Sequence, residues 1–267
     1  MTFSNKTTPD QRPEPPKDLT PRLINTSFVD GTYHIELADD ATRNSLSNII
    51  IDNLQCALSS LPDNARCVVI SSLGPIFCSG HNADDLINIS LDSSRALFAK
   101  STNLMIALRE CPVPIIARVQ GGAIGAGCML ALTCDFVVAS EDAYFQTPGG
   151  AKGWFCFTPM VALLQHCAPR LAMEMLFTGE KISASKAHQL GIINRVVETS
   201  NIAKATEQFI SKITQGNPEM LRLAKASFYS TLGQDYQLAM HNMAQMMAET
   251  SILPAAQTRL SSIKKSK

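Results

Sequence analysis

The chain has 267 residues, 45% of them apolar and 17% charged, which supplies a core and excludes a wholly disordered polymer. Its 23 basic and 23 acidic side chains balance, so it lacks the basic excess of a dedicated nucleic-acid binder, and no nucleic-acid partner is expected. The longest apolar run, Val119 to Cys134, is glycine-rich and closed by Asp135, so no membrane-spanning helix is expected either.

Residues 1–24 hold five of the 14 prolines among many polar residues and read as a flexible tail, because they bury too little apolar surface to offset the entropy of ordering. The tail mixes Arg12 and Arg22 with Asp10, Glu14 and Asp18, so it is no clear mitochondrial transit peptide. The last residues are not a peroxisomal Ser-Lys-Leu signal. Asp30-Gly31 between Phe28-Val29 and Tyr33–Leu37 predicts a hairpin, since both turn positions need positive φ. Ser47 is placed to cap a helix with Ile50, Leu54, Ala57, Leu58 and Leu61 on one face, ending at Pro62-Asp63. Cys67–Ile70 predicts a buried strand that runs into a loop from Ser72 to Asp85.

A helix over 93–109 follows, then a strand at Ile115–Val119 broken by Gly121-Gly122, and a helix opened by Gly125-Ala126-Gly127. Strands at Asp135–Ala139 and Tyr144–Gln146 complete a pattern of strand, loop and helix repeated at least twice, which means an α/β fold class with layered sheets. Helices are expected from Pro169 and, capped by Ser183, to Leu190, with a late strand at Ile192–Val197. From Asn201 onward the sequence reads helical, with breaks at Gly216-Asn217-Pro218, Gly233 and Pro254. This divides the chain into a tail over 1–24, a core over 25–200 and a helical C-terminal section over 201–267. Met240, Met243, Met246 and Met247 have helical spacing and are expected in core or in a subunit interface. The eight cysteines contain no Cys-x-x-Cys, so no metal site is expected, and they read as reduced, buried thiols.

Two glycine-bearing strand exits carry the candidate chemistry: Gly74 to His81, and Val119 to Cys128. Each places backbone N–H groups after a buried strand, and two such donors aimed at one point stabilise a developing oxyanion. Tight packing is the other reading of glycines in these positions. The order of the pieces resembles the crotonase (enoyl-CoA hydratase/isomerase) superfamily from about Asp39 to Val197. The markers are Arg43–Ser47, Phe77–His81, Pro114–Ala117, Gly121–Cys128, Cys134-Asp135 and Ala172–Gly179 with Ile182–Ala184. Ser79-Gly80-His81 and Gly153–Cys156 single out a subgroup within it.

The resemblance implies a crotonase-like spiral of ββα units, with a helical C-terminal oligomerisation section that builds a homotrimer or hexamer. It implies an acyl-CoA thioester as ligand, with coenzyme A entering as part of the substrate and no permanently bound cofactor, and a mitochondrial location. By position, the oxyanion donors would be the backbone N–H groups of His81 and Ala126. Arg43 lies where the family meets the CoA phosphates, a solvated charge being its other reading. The same loop brings Asn82, Ala83 and Asp84 toward the substrate. Asn82 replaces the commoner aspartate, and Asp84 is placed to cap the following turn. Cys128 and Cys156 are candidates to face the acyl chain, and Asp135 is expected to have a structural role at a strand start. The two glutamates of the hydratases fall on Met129 and Gly149, which carry no protons, so a non-hydratase reaction on the bound thioester is expected. A non-catalytic acyl-CoA-binding or regulatory role is the alternative.

Overall fold

The computed structural model describes residues 23–265, so most of the expected tail lies outside the described residues. Strands β1 (Ile24–Val29) and β2 (Thr32–Leu37) form the expected hairpin, with φ of 49° at Asp30 and 78° at Gly31. Helix α1 (Asn48–Ser59) starts where Ser47 Oγ accepts the Ile50 N–H at 3.3 Å, and it buries Ile50, Leu54 and Ala57. Three β–β–α units follow. They are β3 (Cys67–Ser72), β4 (Ile76–Cys78) and α2 (Leu91–Glu110); β5 (Ile115–Val119), β6 (Gly122–Ile124) and α3 (Ala126–Thr133); and β7 (Phe136–Ser140), β8 (Tyr144–Gln146) and α4 (Phe157–His166). Then come α5 (Pro169–Thr178), β9 (Ile182–Ser183), α6 (Ala184–Gln189) and β10 (Arg195–Val197). Helices α7 (Ile202–Ile213), α8 (Pro218–Thr231), α9 (Tyr236–Ser251) and α10 (Pro254–Lys265) close the chain.

The first strand of each unit joins a six-stranded sheet in the order β1-β2-β3-β5-β7-β10, parallel except for the hairpin. The second joins a smaller sheet, β4-β6-β8-β9, in which only β9 is antiparallel. Each unit therefore crosses from the large sheet to the small one before its helix returns, which is the spiral expected from the resemblance. Strand β3 is buried along its whole length because both of its faces are covered. Val68 and Ile70 face the main core, whereas Cys67 and Val69 face a second cluster with Ile116, Val138 and Phe209 of α7.

The sequence reading leaves β4, β6 and β9 as loop. Two or three residues are too few to display an alternating pattern, and β6 begins on Gly122. The glycine before it is sterically required: a Cβ on Gly121, which has φ of 61°, would lie 1.8 Å from the Pro75 carbonyl oxygen.

Helix α8 is anchored to the spiral by a buried polar cluster. Lys225 Nζ meets Asp135 Oδ2 at 2.7 Å and donates to the carbonyls of Leu108 and Val113. Tyr229 donates to Asp135 Oδ1, and the Ile115 N–H donates to Oδ2, each at 2.7 Å. Asp135 thus has the structural role expected of it and also holds the C-terminal section. Helix α9 behaves differently: none of its residues is buried, and Met240 and Met247 are more than half exposed. The methionine stripe therefore does not belong to this chain's core. All eight cysteines are free, and among the described residues no helix is long and apolar enough to cross a membrane.

Candidate active site

The first bend follows β4 and is held by side chains. Buried Asn44, in the left-handed region at φ 55°, accepts from the Asp39 N–H and donates through Nδ2 to the carbonyls of Leu73 and Ile76, all at 2.9 Å. Ser79 donates its N–H to Arg43 O and its hydroxyl to Thr42 O. Leu46 then pairs with the residues on either side of His81, receiving the Asn82 N–H and donating to Gly80 O. In such a parallel bridge the N–H of the central residue points away from its partner. The His81 amide accordingly has no acceptor among the described residues.

The second bend is held by backbone and by close packing. The Gly125 N–H donates to Gln146 O at 2.8 Å, and Gly125 adopts φ of 55° immediately before α3. Ala126 is the first residue of that helix, whose initial N–H groups have no intrahelical partner. Gly127 brings α3 directly onto β4, since a Cβ there would lie 2.2 Å from Cys78 O. The two bends touch: a Cβ on Gly80 would lie 3.0 Å from Ile124 O and 3.5 Å from Ala126 N.

Both bends line a cavity of about 330 Å³, completed by Phe98 of α2, by Pro148-Gly149 and by residues 154–159. The size falls in the range of small-molecule sites. His81 and Ala126, whose amides are unengaged, both line the cavity; two such donors, if they converge on one point, would hold a carbonyl oxygen as negative charge develops on it. The titratable side chains lining the cavity are His81 and Cys156. Burial pushes the His81 imidazole down to about 4, with Asp85 opposing the shift, so the ring is neutral at pH 7. Its Nε2 lies 3.1 Å from Ser101 Oγ, and the ring stands edge-on to Phe98 at 5.0 Å. Burial raises the Cys156 thiol, which therefore stays protonated.

Of the sequence candidates, His81, Ala126, Gly149 and Cys156 line this cavity. A Cβ on Gly149 would lie 1.9 Å from Trp154 O and 2.8 Å from Cys156 Sγ, so no longer side chain fits there without movement of the loop. Met129 instead lines a neighbouring apolar cavity between α2, α3 and α4 that shares the wall residue Thr158. Cys128 is fully buried outside the cavity lining, with burial pushing its thiol up to about 12. Arg43, Ala83 and Asp84 are exposed and, like the half-buried Asn82, do not line the cavity. Capping of the turn at Asp84 falls to a different residue: Asn82 Oδ1 accepts the Asp84 N–H at 2.8 Å. Asp85 Oδ2 receives the Asn48 N–H at the start of α1, and Ser90 caps α2. Sequence reasoning missed Phe98, Ser101 and Thr158, which come to the site from helices. The spacing of Phe98 and Ser101 on one helical face is the available signal, and it does not say what that face meets.

Residues 28–260 match the Enoyl-CoA hydratase/isomerase family model. The chain is 36% identical over 240 residues to the mouse enoyl-CoA hydratase domain-containing protein 3, mitochondrial, covering 89% of this chain and 80% of that one. The crystal structure of the human enoyl-CoA hydratase domain-containing protein 3 superposes with a TM-score of 0.88 at 34% identity, over 92% of this chain and 98% of that one. An enoyl-CoA hydratase from Mycobacterium smegmatis gives 0.89 at 33% identity, over 92% and 97%.

Proposed function

Since the chain belongs to the enoyl-CoA hydratase/isomerase (crotonase) family, we propose that it binds a fatty acyl-CoA thioester with the carbonyl oxygen held by the backbone N–H groups of His81 and Ala126. The observation that carries this reading is that both amides lack acceptors and that both residues line one cavity. Charge that develops on the thioester oxygen when its carbonyl is attacked, or when an enolate forms, is stabilised there. Arg43, exposed beside the first bend, is the cation for the phosphates of coenzyme A.

The reaction is one other than hydration. Hydration needs one group to take a proton from water and one to deliver a proton to Cα, and each positioned group supplies about 10²–10⁴-fold. Met129 and Gly149 supply neither, and the space at Gly149 is filled by Trp154 O and Cys156 Sγ. Isomerisation, thioester hydrolysis or decarboxylation through a stabilised enolate fit a site that keeps its amides and lacks that pair. The exposed stripe on α9 supports assembly into a trimer or hexamer, with this face against a second copy. The mitochondrial label of the mouse relative supports the same location for this chain.

Titration with an acyl-CoA panel tests the reading through one residue. Ala126→Gly keeps the amide and retains binding. Ala126→Pro removes the amide at a first helical position, where proline is well tolerated, and loses binding while the fold persists. Equal affinity in the two variants, or no binding by the wild type, overturns the reading. Turnover of an acyl-CoA that Ala126→Pro abolishes separates an enzyme from a silent binder.

A further inference from the structure

With both hydratase glutamate positions empty of protons, the site needs another group to move one, and its cavity wall offers a single side chain that is neutral, fixed and open on one nitrogen. We infer that the His81 imidazole, in the tautomer whose Nε2–H donates to Ser101 Oγ, is the group that takes and returns the α-proton of the bound thioester through Nδ1. The inference rests on the thioester reading above and names the proton-transfer residue of that site.

Three observations carry it. First, Ser101 is buried, and its Oγ meets His81 Nε2 at 3.1 Å, while Phe98 holds the ring edge-on from the same helix. When Nε2–H donates to Ser101, the lone pair lies on Nδ1. Second, Nδ1 has no hydrogen-bond partner and is accessible, in a residue that lines the cavity. Third, the cavity wall holds one other titratable side chain, the Cys156 thiol, and burial keeps that protonated. The charge acting on the ring is Asp85 of its own loop; among the described residues none acts from α2 or from the wall at 148–159.

The proton acceptor and one oxyanion donor belong to the same residue, and the thioester Cα is two bonds from the oxygen that this donor would hold. In the step, the Cα–H bond breaks and the proton goes to Nδ1, giving imidazolium. The C–H pair becomes the enolate double bond, and the carbonyl π pair moves to the oxygen between the two amides. In the reverse step the imidazolium, having exchanged with solvent, returns a proton to Cα. Nothing is oxidised or reduced. Ser101 is a positioning residue, since it acts through the ring.

The test is α-hydrogen exchange in D₂O by mass spectrometry, using phenylacetyl-CoA and butyryl-CoA, with thioester affinity measured in parallel. His81→Gln and His81→Asn both keep the backbone N–H. They are expected to retain affinity and to lose exchange by about 10²–10⁴-fold. Ser101→Ala is expected to retain affinity and to slow exchange by less. The wild-type rate is expected to fall on the acid side as the ring protonates, and the residual rate of His81→Gln to lack that limb. Exchange that persists in both His81 variants, or a pH profile that is the same with and without the ring, overturns the inference. A wild type that binds the thioester without exchanging its α-hydrogens overturns it and leaves the thioester reading standing. Absence of binding brings down both.

Discussion

The two bends that meet at the edge of the cavity reach their positions by different means. The first, through Gly80-His81, is tied down by the side chains of Asn44, Ser79 and Asn82. The second, through Gly125-Ala126, has no side-chain cap and is located by the helix start and by Gly127 pressed on Cys78. Each polar tie of the first bend makes a finite contribution, so its loss is graded. The second bend depends on steric fit, where the penalty rises steeply once atoms overlap. The difference also divides the chemistry: the hydrogen-bonded bend carries a titratable side chain, and the packed bend contributes main chain alone.

Gly127→Val is the most damaging way to break this arrangement. A Cβ at 2.2 Å from Cys78 O and 2.8 Å from the same residue's carbonyl carbon meets backbone that cannot turn aside. The expected cost is about 3 kcal/mol or more, seen as a drop in the urea midpoint or as insoluble protein. Asn44→Ala attacks the other bend. It strands the Asp39 N–H and two carbonyls and leaves a non-glycine, non-asparagine residue at φ 55°. A loss of about 2–4 kcal/mol is expected in urea unfolding, with a wider spread of loop conformations around Ser79 by hydrogen exchange.

How much of this was readable without coordinates follows the same division. Asp30-Gly31 and Ser47 specify their turn and cap through local dihedrals and one local hydrogen bond, and both are found as expected. The short strands β4 and β6, which deliver both bends, take their identity from pairing with each other rather than from their own composition. At the site, the glycines mark the two bends, and it is the family resemblance that points to His81, Ala126 and Gly149. The order of glycines does not separate those needed for packing, such as Gly121 and Gly127, from Gly125, beside which a Cβ would meet nothing within 4 Å. Met129 and Cys128 sit in the same glycine-rich helix as Ala126, yet one faces a neighbouring cavity and the other the core. Ser101 and Phe98 are brought to His81 from about 20 residues away by the packing of α2, which local pattern does not encode.

The titratable bend gives a pH-dependent comparison. The folded His81 ring has its pKa lowered from 6.5 to about 4. Between those values the unfolded chain takes up a proton that the folded ring refuses, so stability is retained above about pH 6.5 and lost as the pH falls toward 4. The contribution is on the order of 3 kcal/mol. His34 and His166 are also lowered by burial, so the quantity to measure is the difference in unfolding free energy between wild type and His81→Gln across pH 4–7. That difference should shift in favour of the variant on acidification. A flat difference would mean that the ring is as well solvated in the folded protein as in the unfolded chain.

The smallest effect is expected at Asn82 of the first bend, where the sequence resemblance implies an aspartate. Asn82 Oδ1 accepts the Asp84 N–H, and a carboxylate oxygen at the same place accepts it as well. Asn82→Asp therefore keeps the turn. The charge strengthens that one hydrogen bond but adds repulsion from Asp84 and Asp85 two and three residues on, and the two terms offset, leaving stability within about 0.5 kcal/mol of wild type. Asn82→Ala loses the acceptor and is expected to cost about 1 kcal/mol. If the aspartate variant instead proves as unstable as alanine, the acidic residues of this loop repel more than the turn hydrogen bond returns. The asparagine would then be the adaptation that lets Asp85 accept the Asn48 N–H at the start of α1 while His81 still lines the cavity.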